Sequence, residues 1–143
     1  MVKKLEEIDH TADAGLRIYG KNREELFRHA AEGLFHIIGS GSILSDFERP
    51  EVTKNIEIHS SDIATLLKDW LSELLYLHST NHCYFNRFSV QSITDSALTA
   101  TAEGFFISAD QEDNIQDVKA VTYHGLKVTQ TNEGFEAQVI FDI

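Results

Sequence analysis

The sequence predicts an α+β fold: a single domain over residues 1–143, built of largely antiparallel strands packed with two amphipathic helices. Three observations carry that prediction. Two stretches, 22–39 and 63–77, repeat apolar residues at helical spacing. From residue 83 onward the chain reads as a succession of strands separated by polar turns. Strands and helices are partly segregated along the chain, whereas a parallel βαβ fold alternates them strictly. No repeat, low-complexity run or Pro/Gly/Ser-rich linker interrupts the sequence, and its single proline, Pro50, stands in the one obvious loop.

Residues 3–9 and 13–19 read as two short strands, the second with Leu16 and Ile18 on one face and Arg17 and Tyr19 on the other. The stretch DHTAD connects them. Asn22 has the side chain of a helix N-cap, Glu25 three residues later completes a box-like arrangement, and Leu26, Ala30, Leu34 and Ile37 follow on one helical face. That helix ends near Gly39, where GSGS supplies the breakers. Val52, Ile56 and Ile58 alternate with polar residues in a third strand. Ser60 or Ser61 is expected to cap the second helix, whose apolar positions 63, 66, 67, 70, 71, 74 and 75 form a broad stripe. Trp70, with aliphatic neighbours along that stripe, reads as packing. The remaining strands are expected at 83–93, 97–107, 117–129 and 135–142. In the last, Phe135, Ala137, Val139 and Phe141 share one face, and Glu136, Gln138, Ile140 and Asp142 the other. Asp142 is followed only by Ile143, so two anionic groups stand side by side at the end of the sequence.

The bulk composition excludes several functions. With 143 residues, 42% of them hydrophobic, the chain is long enough to bury roughly 70% of its unfolded surface and fold as one unit. There are 23 acidic and 12 basic side chains, a net charge of −11, and the summed field repels a phosphate backbone; direct tight binding to nucleic acid is not expected. The N-terminus has no apolar signal region and no stretch approaches the ~20 apolar residues of a membrane span, so the expectation is a cytoplasmic protein without membrane contact. Cys83 is the only cysteine, which rules out an internal disulfide or a Cys-based zinc cage; it reads as a small core residue.

The candidate chemistry begins at DHTAD, which places Asp9, His10, Thr11 and Asp13 within five positions. Each is an ordinary turn residue whose side chain can bond to nearby backbone, and for Thr11 or Asp13 that can be the whole role. The same residues can also supply hard oxygen ligands, because Ca²⁺ accepts six to eight oxygens from carboxylates, carbonyls and water drawn from distant segments. His10 has no His partner one turn away, and neither HExxH nor EF-hand spacing occurs. GxSxG, GxxxxGKS and GxGxxG are absent too, leaving nucleophile-elbow and nucleotide-cradle chemistry without a foothold. His29, His36, His59, His78 and His82 read as structural or surface histidines. A second patch, VKAVTYHGLKV at 118–128, sets Lys119, Tyr123 and Lys127 on one side of a strand and Thr122, His124 and Leu126 on the other. Before it, Asp110, Glu112, Asp113 and Asp117 form an acidic run, either solvated or facing a basic partner.

Taken in order, DHTADAGLRIYG, EELFRHAAEGLF, LLKDWLSELLYLH, VKAVTYHGLKV and a final FDI resemble one family, the archeases, over nearly the whole chain. The chain departs from the family pattern at Ala14 and Gly125. The resemblance implies a small acidic protein that assists an RtcB-type tRNA-splicing RNA ligase. That ligase joins RNA ends bearing a 2′,3′-cyclic phosphate or 3′-phosphate to a 5′-hydroxyl, after GTP-dependent guanylylation of its own histidine. An archease-like protein promotes the guanylylation and allows multiple turnover, and so is an activator and not an enzyme itself. The resemblance further implies a bound cation, Ca²⁺ or another divalent ion, held by Asp13, Asp142 and the carbonyl or terminal carboxylate of Ile143. Asp9, His10 and His124 lie in matching motifs, and are expected to support the site or to contact the partner. Two other classes stay open: a metal-dependent phosphoester hydrolase using Asp9, His10 and Asp13, and a general chaperone-like binding module.

Overall fold

Apolar alternation along the strands builds two antiparallel sheets, and a helix buried on most of its circumference lies against both. The computed structural model describes residues 4–10, 13–39 and 49–143. In chain order the elements are β1 (Leu5–His10), β2 (Asp13–Gly20), α1 (Arg23–Gly39), β3 (Val52–His59), α2 (Ile63–Asn81), β4 (Cys83–Ile93), β5 (Ala97–Phe106), a 3₁₀ helix (Ala109–Asn114), β6 (Ala120–Val121), β7 (Lys127–Thr131) and β8 (Gly134–Asp142). One sheet runs β1-β2-β8, with β6 and β7 pairing successive parts of the far side of β8; the other runs β3-β5-β4. Every strand pair among the described residues is antiparallel, as an α+β architecture with segregated elements requires. Thr11, the GSGS residues 40–42 and the expected strand start at residue 3 lie outside the described residues.

The first helix starts where the sequence places it. The Glu25 N–H donates to Asn22 Oδ1 at 2.9 Å, and the Glu25 carboxylate accepts from the Lys21 N–H at 3.2 Å, so one orphan donor of the first turn and the N–H just before the cap are both satisfied. The second helix differs from expectation: Asp62, and neither serine, is the cap, in extended conformation with its carboxylate accepting from the Thr65 N–H at 2.8 Å. A carboxylate at a helix N-terminus adds charge–dipole attraction that a hydroxyl lacks. The Ser60 hydroxyl instead donates to Asp69 Oδ2 at 2.6 Å.

The stripe of α2 meets α1 in the core. Trp70 is fully buried, and its indole N–H donates to the Phe27 carbonyl at 3.0 Å, a partner that the ring's polar edge needs once it leaves water. Phe35 on α1 packs edge-on against Tyr84 and Phe85 of β4. Leu16 and Ile18 of β2 and Ala137, Val139 and Phe141 of β8 close the opposite wall. Each such aliphatic or aromatic side chain contributes roughly 1.5–3 kcal/mol by leaving water. Cys83 is buried here, and burial pushes its thiol up to about 11, which removes it as a nucleophile. No helix among the described residues is long and apolar enough to cross a membrane.

The strand expected over 117–129 is broken in two. Tyr123 and Leu126 close a turn through the Leu126 N–H and the Tyr123 carbonyl at 3.2 Å, and Gly125 within it has φ +60, a conformation that side-chain-bearing residues rarely adopt. The break sends β6 and β7 to different stretches of β8. The acidic run 110–113 is likewise more ordered than a loop, forming the 3₁₀ helix with Ser108 and Gln111 as a reciprocal cap. Its Asp110, Glu112 and Asp113 are exposed, and Glu112 pairs with His82.

Candidate functional site

The two ends of the sequence meet through strand register. β2 lies between β1 and β8, and eight consecutive pairs from Asp13↔Asp142 to Gly20↔Phe135 fix its alignment to β8. On its other side Asp13 pairs with His10, and Ala120 of β6 pairs with Asp142. One row across the sheet therefore reads His10, Asp13, Asp142, Ala120. Directly opposed residues of an antiparallel pair share a face, with Cβ atoms roughly 4.5–5.5 Å apart. Asp13 and Asp142 thus stand side by side on the outer face, while Phe141 points into the core, fully buried, as the alternation of β8 demands.

A cavity of about 360 Å³ opens beside this row. Asp13 and Ile143 both line it, together with Glu7 of β1, His36 in the last turn of α1, and Gln116. Gln116 is held in place by its N–H, which donates to the Ile38 carbonyl at 2.7 Å near the end of α1. Lys119 donates its N–H to the Asp142 carbonyl at 2.7 Å, and the Thr122 N–H and hydroxyl both reach the Ile140 carbonyl. These bonds staple the last strand to the residues on either side of β6. Gly15, two residues after Asp13, permits the closure: a Cβ there would stand 2.9 Å from Ile140 Cδ1 and 3.2 Å from Ile8 Cβ.

The chemistry of this arrangement is that of hard oxygen donors. Two carboxylates directly opposed on a sheet repel one another, and a divalent cation between them converts the repulsion into attraction. Among the described residues no ion pair engages Asp13 or Asp142. Nor do the described residues gather three or more His, Cys, Asp or Glu side chains around one point, so a cation here would have these two carboxylates and the main-chain oxygen of Ile143 to draw on. Such a set fits Ca²⁺ or Mg²⁺, which take their remaining ligands from water or a partner, and does not fit a thiolate- or imidazole-seeking metal.

Asp13, Asp142 and Ile143 are therefore brought together. The backbone of His10 pairs with Asp13 and so belongs to the row, while that of Asp9 pairs with Ala14 one position along. His124 is not in it: it lies exposed in the turn after β6, its N–H on Thr122 Oγ1 at 3.3 Å. Sequence reasoning missed Glu7, His36 and Gln116 as cavity residues. The only signal available was the shared face of Leu5 and Glu7 in β1, which does not say what covers that face. His29 and His78 are structural, their Nδ1 atoms 2.6 Å from the Tyr19 and Cys83 carbonyls; burial pushes the His78 pKa down.

Comparison with known proteins gives a consistent picture. The family model described as the archease protein family matches residues 5–143. The chain is 38% identical to the protein archease of Methanosarcina barkeri, covering 99% of this chain and 97% of that one. It is similar to the solution structure of Methanobacterium thermoautotrophicum protein 1598, with TM-score 0.78, 34% identity, and coverage of 99% and 100%. The crystal structure of an archease from Thermotoga maritima, described as a possible chaperone, shares the fold at TM-score 0.67 and 24% identity, with 100% and 98% covered.

Proposed function

The chain belongs to the archease family, and from that premise we propose that it is a protein activator of an RtcB-type tRNA-splicing RNA ligase, acting in the cytoplasm and not itself a catalyst. In this reading it promotes guanylylation of the ligase and multiple turnover. Asp13 and Asp142 hold a divalent cation, Ca²⁺ in the first instance, with the main-chain oxygens of Ile143 completing the protein's share of the ligands. When bound, the cation supplies concentrated positive charge to the phosphate groups that the ligase handles. The residues of this chain do the positioning. β2 and β8 fix the two carboxylates in register, and Lys119 holds the Asp142 backbone through its N–H. Asp9, His10 and His124 are assigned to supporting or partner contacts. A net charge of −11 suits a protein that approaches a basic, RNA-binding cleft and does not bind RNA tightly itself.

The observation that carries the reading is the Asp13↔Asp142 pair, two acidic residues from opposite ends of the sequence set directly opposite each other. The test is ligation turnover by a cognate ligase with and without this protein, in EDTA and with added Ca²⁺. Asp13→Ala and Asp142→Ala should each fold and each abolish stimulation of guanylylation. Full stimulation by both variants, or stimulation indifferent to EDTA, overturns the assignment.

A further inference from the structure

A second concave site lies on another part of the molecule, between α2 and β6. Its volume is about 390 Å³, within the range of small-molecule sites. Leu75, Val118 and Val121, each under a tenth exposed, form an apolar floor. Residues 68, 72, 75, 76 and 79 of α2 line it at i, i+4, i+7, i+8 and i+11, one face of the helix adjoining the core stripe. They bring the ammonium of Lys68, the hydroxyls of Ser72 and Ser79, and the ring of Tyr76; Lys119 brings a second ammonium from the opposite wall.

The composition of this groove is unlike that of the rest of the surface. The chain carries nearly two acidic residues for each basic one, yet the charged residues lining the groove are two lysines with no carboxylate among them. Glu73 and Asp117 adjoin lining residues in sequence without lining it themselves. Among the described residues three large apolar side chains are exposed, Tyr76, Phe106 and Tyr123, and two of them belong here. Tyr76 lines the groove at 60% exposure, and Tyr123 carries Lys68 over its ring with Nζ 4.5 Å from the centroid. That cation–π contact orders the Lys68 head.

Two cations on facing walls, an accessible aromatic face, hydroxyls and an apolar floor match a ligand with a phosphate, a planar base and a polar sugar. We propose that the α2–β6 groove binds a mononucleotide unit, its phosphate at Lys68 and Lys119 and its base against Tyr76. A long polyanion is repelled by the protein's summed charge. A single phosphate placed between two lysines answers mainly to those neighbours, because salt screens the more distant acidic groups within about 8–10 Å. The site goes beyond the activator function and does not rest on it.

The experiment is an NMR titration of the ¹⁵N-labelled protein with GMP in EDTA, so that cation binding at Asp13 and Asp142 plays no part. Inorganic phosphate, guanosine and a 5′-phosphorylated trinucleotide serve as comparison ligands. Saturable shifts are expected at the amides of Ser72, Tyr76, Ser79 and Val118–Val121, with phosphate and guanosine each binding at least about tenfold more weakly than GMP. Lys119→Ala and Tyr76→Ala, both exposed and so free to fold, should each weaken GMP about tenfold, while Asp13→Ala leaves it unchanged. Binding of GMP or the trinucleotide supports the site, and the tighter of the two names the source of the nucleotide. Absence of saturable shifts from both at concentrations on the order of 10 mM overturns it. So do shifts centred away from the groove, phosphate binding as tight as GMP, or GMP affinity unchanged in Lys119→Ala and Tyr76→Ala.

Discussion

Asp13→Asn separates a cation site from an ordinary strand end, because the two predict opposite signs. The register sets Asp13 opposite Asp142, and opposed carboxylates stand roughly 5 Å apart at Cβ. In largely solvated surroundings, two unit charges at about 5 Å repel by about 0.8 kcal/mol, a value that salt reduces to about 0.5 kcal/mol. Replacing one carboxylate by its neutral isostere should therefore stabilise the cation-free protein by about 0.5 kcal/mol, raising Tm by about 2 °C. The response to Ca²⁺ should go the other way. At a hundredfold excess over Kd a bound ligand adds about 2.7 kcal/mol to the wild type, a rise of about 8 °C, and Asp13→Asn should lose most of that rise. Asp142→Asn should behave likewise. Adding it to Asp13→Asn should stabilise the cation-free form no further, since the repulsion is removed only once. The assay is a thermal melt followed by circular dichroism, in EDTA and across a Ca²⁺ series. A variant that melts below the wild type in EDTA refutes the repulsive pair. Equal Ca²⁺ shifts in wild type and Asp13→Asn refute the cation site.

Further outcomes follow from other parts of the molecule. Trp70→Phe leaves the buried Phe27 carbonyl without its indole donor and opens a cavity, at a combined cost of about 2–3 kcal/mol in chemical denaturation. Cys83, with its thiol pushed up to about 11 by burial, should resist a disulfide reagent at pH 8 and react stoichiometrically once the protein is unfolded. Asp62 is held below its ordinary value of 3.8 chiefly by the Thr65 N–H. Its folded-state pKa is depressed, so its contribution to stability is present above pH 3.8 and is lost as pH falls through the folded value. Asp62→Ala should melt lower than wild type at neutral pH, and the gap between the two should close below pH 3.8.

Features set by local physics were legible in the sequence. The α2 stripe, the Asn22 and Glu25 cap and the in–out alternation of β8 depend on side chains a few residues apart, and each was predicted. The choice of Asp62 over Ser60 or Ser61 was not legible, since three consecutive residues each offer a side-chain acceptor and the backbone geometry decides among them. Nor was the break at Gly125, which follows from β6 and β7 pairing different parts of β8. The site divides along the same line. Composition and alternation put Asp13 at a strand start and Asp142 on the outer face of the last strand. Family resemblance joined them, but only the β2–β8 register sets one opposite the other. Glu7 and His36 reach the cavity through the packing of β1 and α1, which no spacing in the sequence encodes.

The polar residues of the site do not set their own positions. β2 is an interior strand of its sheet, and its alignment with β8 is decided by which residues can enter the core: Leu16 and Ile18 on one strand, Ala137, Val139 and Phe141 on the other. A slip of one residue would turn Phe141 outward and carry Asp142 into the apolar interior, exposing hydrophobic area and burying a charge at once. Those penalties act along the whole eight-pair ladder, far beyond any interaction that the carboxylates could make with each other. The hydrophobic pattern therefore holds two mutually repelling groups face to face, and the strain between them is available to whatever cation relieves it. The same ladder fixes β6 through Asp142, and with it Lys119. The acidic row and the Lys119 wall of the groove are thus both tied to β8, whose position the core sets.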